Sequence, residues 1–170
     1  LRMTRAATGR PCASCSLLRA LPSATIRRMD LILTHTNADF DAVAAQLAAH
    51  KLWPHMTPVL PSQINRNVRH FLALYWDELP FWRLKDLPRQ HVDQVLIVDT
   101  QAAQTVRGMD AHTQMQIIDH HPLSDDLSLD WQVTYEALGA TTTILCEELK
   151  ARSMRLSRVE ATLLLLGIYE

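Results

Sequence analysis

Residues 116–122 read QIIDHHP, a short apolar run that ends on an acid and two adjacent histidines. Two other segments end the same way. LILTHTNADFDA (31–42) carries His35, Asp39 and Asp41, and VLIVDT (95–100) carries Asp99. Carboxylates brought to one place repel each other and lose solvation, and cations relieve both costs. A mixed set of carboxylate oxygens and imidazole nitrogens suits Mn²⁺, with Mg²⁺, Fe²⁺ or Co²⁺ as competitors, and the lack of thiolates argues against a structural zinc. One carboxylate shared by two ions holds them about 3.5–4 Å apart, a spacing that lowers the pKa of a bridging water and clamps phosphate oxygens.

The elements that must position these groups follow from periodicity. Short apolar runs predict strands at 30–35, 57–61, 93–100, 114–121 and 131–136,. Helical spacing predicts helices at 41–53, 65–79, 140–153 and 157–170, the last with Ser157 and Glu160 at capping-box spacing,. Residues 80–92 read as a polar connection. Alternating strands and helices indicate an α/β fold with a mostly parallel sheet, and the continuous apolar character of VLIV and QII predicts helices on both faces. In such a sheet ligands sit outside the carboxyl ends of the strands. His35, Asp39 and Asp41 follow the first strand, Asp99 the VLIV strand, and Asp119, His120 and His121 the QII strand. Asp39 and Asp41 are placed to face the amino end of the first helix, where negative charge is favoured.

Composition fits one soluble domain: 170 residues, 48% hydrophobic and 21% charged,. No apolar run approaches the roughly 20 residues of a membrane span. The formal net charge of -1 hides an asymmetry. Residues 1–28 hold six of the 17 basic residues and none of the 18 acids, leaving 11 against 18 from Met29 onward. An acidic domain does not advertise non-specific nucleic-acid binding. The basic, acid-free stretch 1–28 reads as a leader, or as sequence upstream of a true start at Met29, and the folded domain as 29–170. Cys12 and Cys15 form a lone C-x-x-C inside that stretch, and Cys146 sits in a helical pattern as a small core residue. With no disulfide framework, a reducing cytoplasm is expected.

These motifs resemble the DHH phosphoesterases. That family's pattern is an H-x-x-x-D-x-D segment, a lone Asp after a strand, a D-H-H triplet and a final Asp. Here the first three stand as HTNADFD (35–41), VDT (98–100) and DHH (119–121). GATTTILCEEL (139–149) is similar to the family's Gly-Ala-Thr/Ser helix start, and LLLLGIYE (163–170) to the helix before its fourth motif. MDLILTHTNADFDAVAA (29–45) and PSQINRNVRHF (61–71) resemble one branch most, the amino-terminal domain of bacterial fusion proteins in which CBS domains and a tRNA nucleotidyltransferase (poly(A) polymerase-like) domain follow. The resemblance implies two Mn²⁺ ions, with Mg²⁺ or Co²⁺ possible. His35, Asp39 and Asp99 would hold the first, and Asp41, Asp99 and His120 the second, with Asp99 bridging. His121 would contact the scissile phosphate, and Asp119 would orient a ligand histidine. The implied substrate is a phosphodiester or phosphoanhydride: oligonucleotide, cyclic dinucleotide, single-stranded nucleic acid or pyrophosphate. A non-catalytic metal- or nucleotide-binding module regulating a nucleotidyltransferase is the alternative. The fourth-motif Asp and the family's second domain would follow Glu170, so residues 29–170 alone are expected to bind the second ion weakly and to show little activity.

Thr141 and Thr142, at a helix amino end after Gly139, are candidates for holding a substrate anion, with ordinary capping as the alternative. Arg66 and Arg69, three apart on the second helix, read as a solvated face with phosphate contact as the alternative. His50, His55, His70, His91 and His112 follow no ligand spacing and read as surface or packing residues. Trp53, Trp76, Trp82 and Trp131 form no stacking stripe.

Overall fold

The computed structural model describes residues 28–102 and 104–169. Six strands form one sheet: β1 (Arg28–Leu33), β2 (Met56–Leu60), β3 (Trp82–Arg83), β4 (His91–Val98), β5 (Gln114–Asp119) and β6 (Gln132–Tyr135). Four α-helices connect or follow them: α1 (Phe40–Leu52), α2 (Arg66–Tyr75), α3 (Thr141–Ala151) and α4 (Arg158–Tyr169). The strand order is β3-β2-β1-β4-β5-β6, and every pairing is parallel. All carboxyl ends therefore lie along one edge. The chain runs outward from β1 to β3 and then returns to β4 on β1's other side, which opens a crevice between the ends of β1 and β4.

The sheet divides the core in two. Alternate residues of each strand face opposite sides, so Ile32, Leu96, Val98 and Ile118 join one cluster while Leu31, Val95, Ile97 and Ile117 join the other. Burying each such side chain contributes about 1.5–3 kcal/mol. The first cluster is covered by helices. In α1, alanines 42, 44, 45, 48 and 49 are all fully buried, which lets α1 lie close against the sheet and between α3 and α4. A capping box starts α4 as expected: the Ser157 N–H donates to Glu160 at 2.7 Å, and the Glu160 N–H donates to the Ser157 hydroxyl at 3.2 Å. Glu160 also accepts from Lys51 Nζ at 3.0 Å, tying α4 to α1.

The fold class is the expected parallel α/β sheet, with three local differences. Among the described residues, the buried apolar side chains of all four helices belong to the first cluster. The opposite face is covered by connecting segments through Leu87, Val106, Met109, Leu127 and Trp131. Strands buried on both faces read alike whether helix or loop covers them. The stretch 80–92 contains β3, which pairs Val59 with Trp82 and Leu60 with Arg83, and α2 gives way to a 3-10 turn at Trp76–Glu78. Arg28 already belongs to β1: it pairs with His91 and donates to Asp93 at 3.1 Å, so the fold includes one residue before Met29. The leader reading of residues 1–27, with Cys12 and Cys15, lies outside the described residues. Among those described, no helix is long and apolar enough to cross a membrane.

Candidate metal centre

The segment after β1 supplies the first set of donors. The buried Thr34 hydroxyl donates to the Val98 carbonyl at 2.9 Å and pins the ends of β1 and β4 together. His35 then leaves the sheet, and Asn37 adopts a left-handed φ of 62° that turns the chain toward α1, a conformation Asn tolerates better than most residues. Asp39 caps α1, its Oδ1 accepting the Ala42 N–H at 3.0 Å,. Asp41 was expected at the same helix end. It stands in the first turn of α1 and also serves a second helix: its two oxygens accept the N–H groups of Thr141 at 2.8 Å and Thr142 at 2.7 Å, the first residues of α3. Burial, with the neighbouring charge of Asp99, pushes its carboxyl up to about 6, while the α3 amino end favours the anion.

Asp99 is the hinge of the site. It follows β4 directly, is 3% exposed and has a φ of 59°. That region costs a non-glycine residue roughly 1–2 kcal/mol, and such strain gathers where function fixes the backbone. Its two oxygens look in different directions. Oδ2 lies 3.5 Å from His35 Nε2, and Oδ1 lies 3.5 Å from His120 Nε2 and 4.0 Å from His121 Nδ1. Oδ1 also accepts the Thr141 hydroxyl at 3.0 Å.

Two of these three histidines, His35 and His120, have Nδ1–H fixed by a backbone carbonyl. His35 Nδ1–H donates to the Thr36 carbonyl at 2.8 Å, and His120 Nδ1–H donates to the Leu138 carbonyl at 3.0 Å. Each leaves Nε2 turned toward the carboxylates, the arrangement metal-binding imidazoles use. In the absence of an ion, the hydrogen bond to Asp99 outweighs burial and raises the His35 pKa to about 9.

Asp119, at the end of β5, is fully buried and fully engaged. Its Oδ1 accepts the His120 N–H at 2.9 Å and His121 Nδ1–H at 2.8 Å, and its Oδ2 accepts the Gln101 amide at 2.7 Å. It thus positions His121 rather than the side chain of His120. Burial pulls the His121 pKa down, but the bond to Asp119 and the charges of Asp119, Asp99 and Asp41 more than offset it, so the net shift is upward.

Ligand atoms of His35, Asp39 and Asp99 all lie within 4.8 Å of one another, as do those of Asp99, His120 and His121. Asp41 joins the second group through Oδ2, 3.7 Å from His120 Nε2. These residues line a cavity of about 600 Å³ with Gln101, Gly139 and Gly167. The oxygen and imidazole donors fit a hard or borderline divalent cation, and the carboxylate of Asp99 is faced by imidazoles and one hydroxyl rather than by a lysine or arginine,.

The structure places Thr141 and Thr142 elsewhere than a substrate contact requires. Both are fully buried, and their hydroxyls donate to Asp99 and to the Asp41 carbonyl. They support the carboxylates from behind. Gln101 was not anticipated. It reaches Asp119, the carbonyls of His121 and Pro122 and the N–H of Ser124, and its only sequence signal is its place two residues after Asp99. His50, His55 and His91 have partners away from this cavity.

A profile of the DHH family, N-terminal domain, matches residues 31–168. The chain is 36% identical over 152 residues to an A-adding tRNA nucleotidyltransferase of Geobacter sulfurreducens, covering 84% of this chain and 17% of that protein. It is 26% identical over 144 residues to a manganese-dependent inorganic pyrophosphatase of Bacillus subtilis, covering 81% of this chain and 46% of that protein. The crystal structure of a putative family II inorganic pyrophosphatase from Methanococcus jannaschii superposes with a TM-score of 0.60 at 19% identity, covering 82% of this chain and 47% of that one. At that identity the likeness is one of fold. The chain spans less than half the length of each of these relatives.

Proposed function

The chain belongs to the DHH family, and on that premise we propose that it forms the metal-binding part of a phosphohydrolase site that cleaves a phosphodiester or phosphoanhydride with two divalent ions, Mn²⁺ foremost. One observation carries the reading: the buried, left-handed Asp99 turns one oxygen to His35 and the other to His120. His35, Asp39 and Asp99 would hold one ion, and Asp99, Asp41 and His120 the other. Bound ions supply Lewis acidity toward water and phosphoryl oxygens.

The remaining work falls to the chain's own groups. His121 keeps Nδ1–H on Asp119 and has Nε2 left for a phosphoryl or leaving-group oxygen, where a raised pKa favours the proton-donating form,. Thr141, Thr142 and the amino end of α3 fix Asp41 and Asp99 in place before substrate arrives,. The setting is a reducing cytoplasm, in keeping with the free thiol of Cys146,. The likeness to a nucleotidyltransferase at 36% identity supports a longer fusion protein. It also favours a second reading, in which the site binds metal or nucleotide and regulates nucleotide addition without hydrolysis.

The test is Mn²⁺ titration of the full-length protein, together with hydrolysis of pyrophosphate and of a 5′-phosphorylated dinucleotide, for wild type and Asp99→Asn. Wild type should take up Mn²⁺ and cleave at least one substrate, and Asp99→Asn should lose both properties. Metal uptake with no cleavage of either substrate would transfer the case to the regulatory reading.

A further inference from the structure

A second cavity, of about 860 Å³, opens on the same sheet edge at the end of β2. Arg69 of α2, Trp76, and Arg83 and Lys85 of the β3 segment line it, along with apolar surface from Pro61, Ile64 and Leu84. Against these three cations stands one carboxylate, Asp77. The imbalance is local, because from Met29 onward acids outnumber bases 18 to 11. Among the described residues, the ion pairs of lysine and arginine involve Arg28, Lys51 and Arg152, and none of these three. Arg69 gives one N–H to the Ile64 carbonyl at 3.2 Å, and the Arg83 guanidinium lies 4.5 Å over the Trp76 ring.

Cations without carboxylate partners concentrate an anion. A planar guanidinium seated on an indole is a platform on which a nucleobase stacks. An inorganic anion would use the charges and leave the apolar wall uncovered. A nucleotide uses all three features.

The cavity's position links it to the metal centre. With all strands parallel, the end of β2 lies one strand spacing, roughly 4.8 Å, from the end of β1. The segment between the two cavities is pinned: the Asn37 N–H donates to the Gln63 carbonyl at 2.9 Å, the Asn65 N–H donates to the Ala38 carbonyl at 2.9 Å, and Ala38 bridges Ile64. Ile64 lines the second cavity, while Asp39, next to Ala38, lines the first. We infer that the second cavity is a nucleotide subsite, taking the base and phosphate of a nucleotide joined to the phosphate at the metal centre. Resting on the phosphohydrolase reading, the inference narrows the substrate class to nucleotide phosphodiesters and away from pyrophosphate.

Two measurements on the full-length protein test it. In EDTA, calorimetric titration with 5′-AMP should show saturable binding, and Arg83→Gln/Lys85→Gln should weaken it by roughly tenfold or more. In Mn²⁺, the same double variant should lower the ratio of kcat/KM for a 5′-phosphorylated dinucleotide to that for pyrophosphate by a similar factor, through KM for the dinucleotide. No saturable AMP binding, AMP binding indifferent to the two substitutions, or an unchanged ratio would each overturn the subsite, whatever the hydrolase reading. AMP binding that the variant loses, with no hydrolysis of either substrate by the wild type, would keep the nucleotide site and overturn the hydrolase reading instead.

Discussion

Gly167→Ala puts a single methyl group where α4 meets α1, at the wall of the metal-centre cavity. A Cβ there would lie 2.5 Å from the Ala44 Cβ, 2.8 Å from the Thr142 hydroxyl oxygen and 2.9 Å from the Phe40 carbonyl oxygen. The first distance is 0.9 Å short of the 3.4 Å at which ordinary contact begins. Two of the three neighbours are a backbone atom and a Cβ fixed to backbone, so rotamer changes relieve little, and the helices must part. Overpacking of this kind costs about 1–3 kcal/mol, here toward the upper end, while replacing glycine by alanine within a helix returns about 1 kcal/mol. The net loss of about 1–2 kcal/mol lowers Tm by roughly 2–8 °C for a domain of this size. The same displacement reaches the site, because Thr142 donates its hydroxyl to the Asp41 carbonyl and its N–H to the Asp41 carboxylate. Mn²⁺ affinity should fall by about tenfold, the low end for disturbing groups that hold a ligand. Gly139→Ala is the control: Gly139 lines the same cavity, yet nothing lies within 4 Å of its added Cβ. Thermal melts and calorimetric Mn²⁺ titrations of both variants decide the matter. A Gly167→Ala protein that melts with the wild type and binds Mn²⁺ as tightly would refute the reasoning.

Other outcomes follow from the hydrogen bonds and charges of the site. His35, raised to about 9 from 6.5, must give up its Nε2 proton to an ion, so Mn²⁺ affinity measured from pH 6.5 to 9 should climb by up to about tenfold per unit. Stability without metal runs the other way: the His35 contribution is complete below pH 6.5 and fades as pH rises through about 9, which melts in EDTA across that window would register,. Asp119→Asn should lower kcat by about 10–100-fold while Mn²⁺ uptake changes little, because Asp119 supports His121 and touches no proposed ion,. Thr141→Val keeps the N–H that holds Asp41 but removes the hydroxyl on Asp99, and should cost about 1–3 kcal/mol in a denaturant titration,.

The members of the candidate site could be picked out in the sequence because His35, Asp99, Asp119 and the two histidines after it follow apolar runs, and a parallel sheet sends every such end to one edge. What could not be read was the partnership between distant segments. That Asp41, in the first turn of α1, also holds the start of α3 depends on a contact 100 residues away along the chain, and nothing near position 41 announces it. The threonines show the same gap: a pair at a helix start is equally suited to a substrate anion or a protein carboxylate, and only their burial decides between them. Most of the strands and all four α-helices follow from apolar period, but β3 is two residues long and too short to carry a period. Gln101 and Gly167 act through their surroundings, so a single residue in a string of letters gives no measure of either.

The backbone at position 99 bears on how any substitution there is interpreted. Asparagine shares aspartate's shape and its ease with a left-handed φ, so Asp99→Asn changes charge and leaves the turn intact. Alanine or valine would add a conformational penalty to the missing ligand, and a collapse in such proteins would mix two causes. A saturation library at this codon, sorted for folded protein alone, should therefore retain Asn and Gly and shed the β-branched residues, drawing the contour of the turn independently of any chemistry the site performs,.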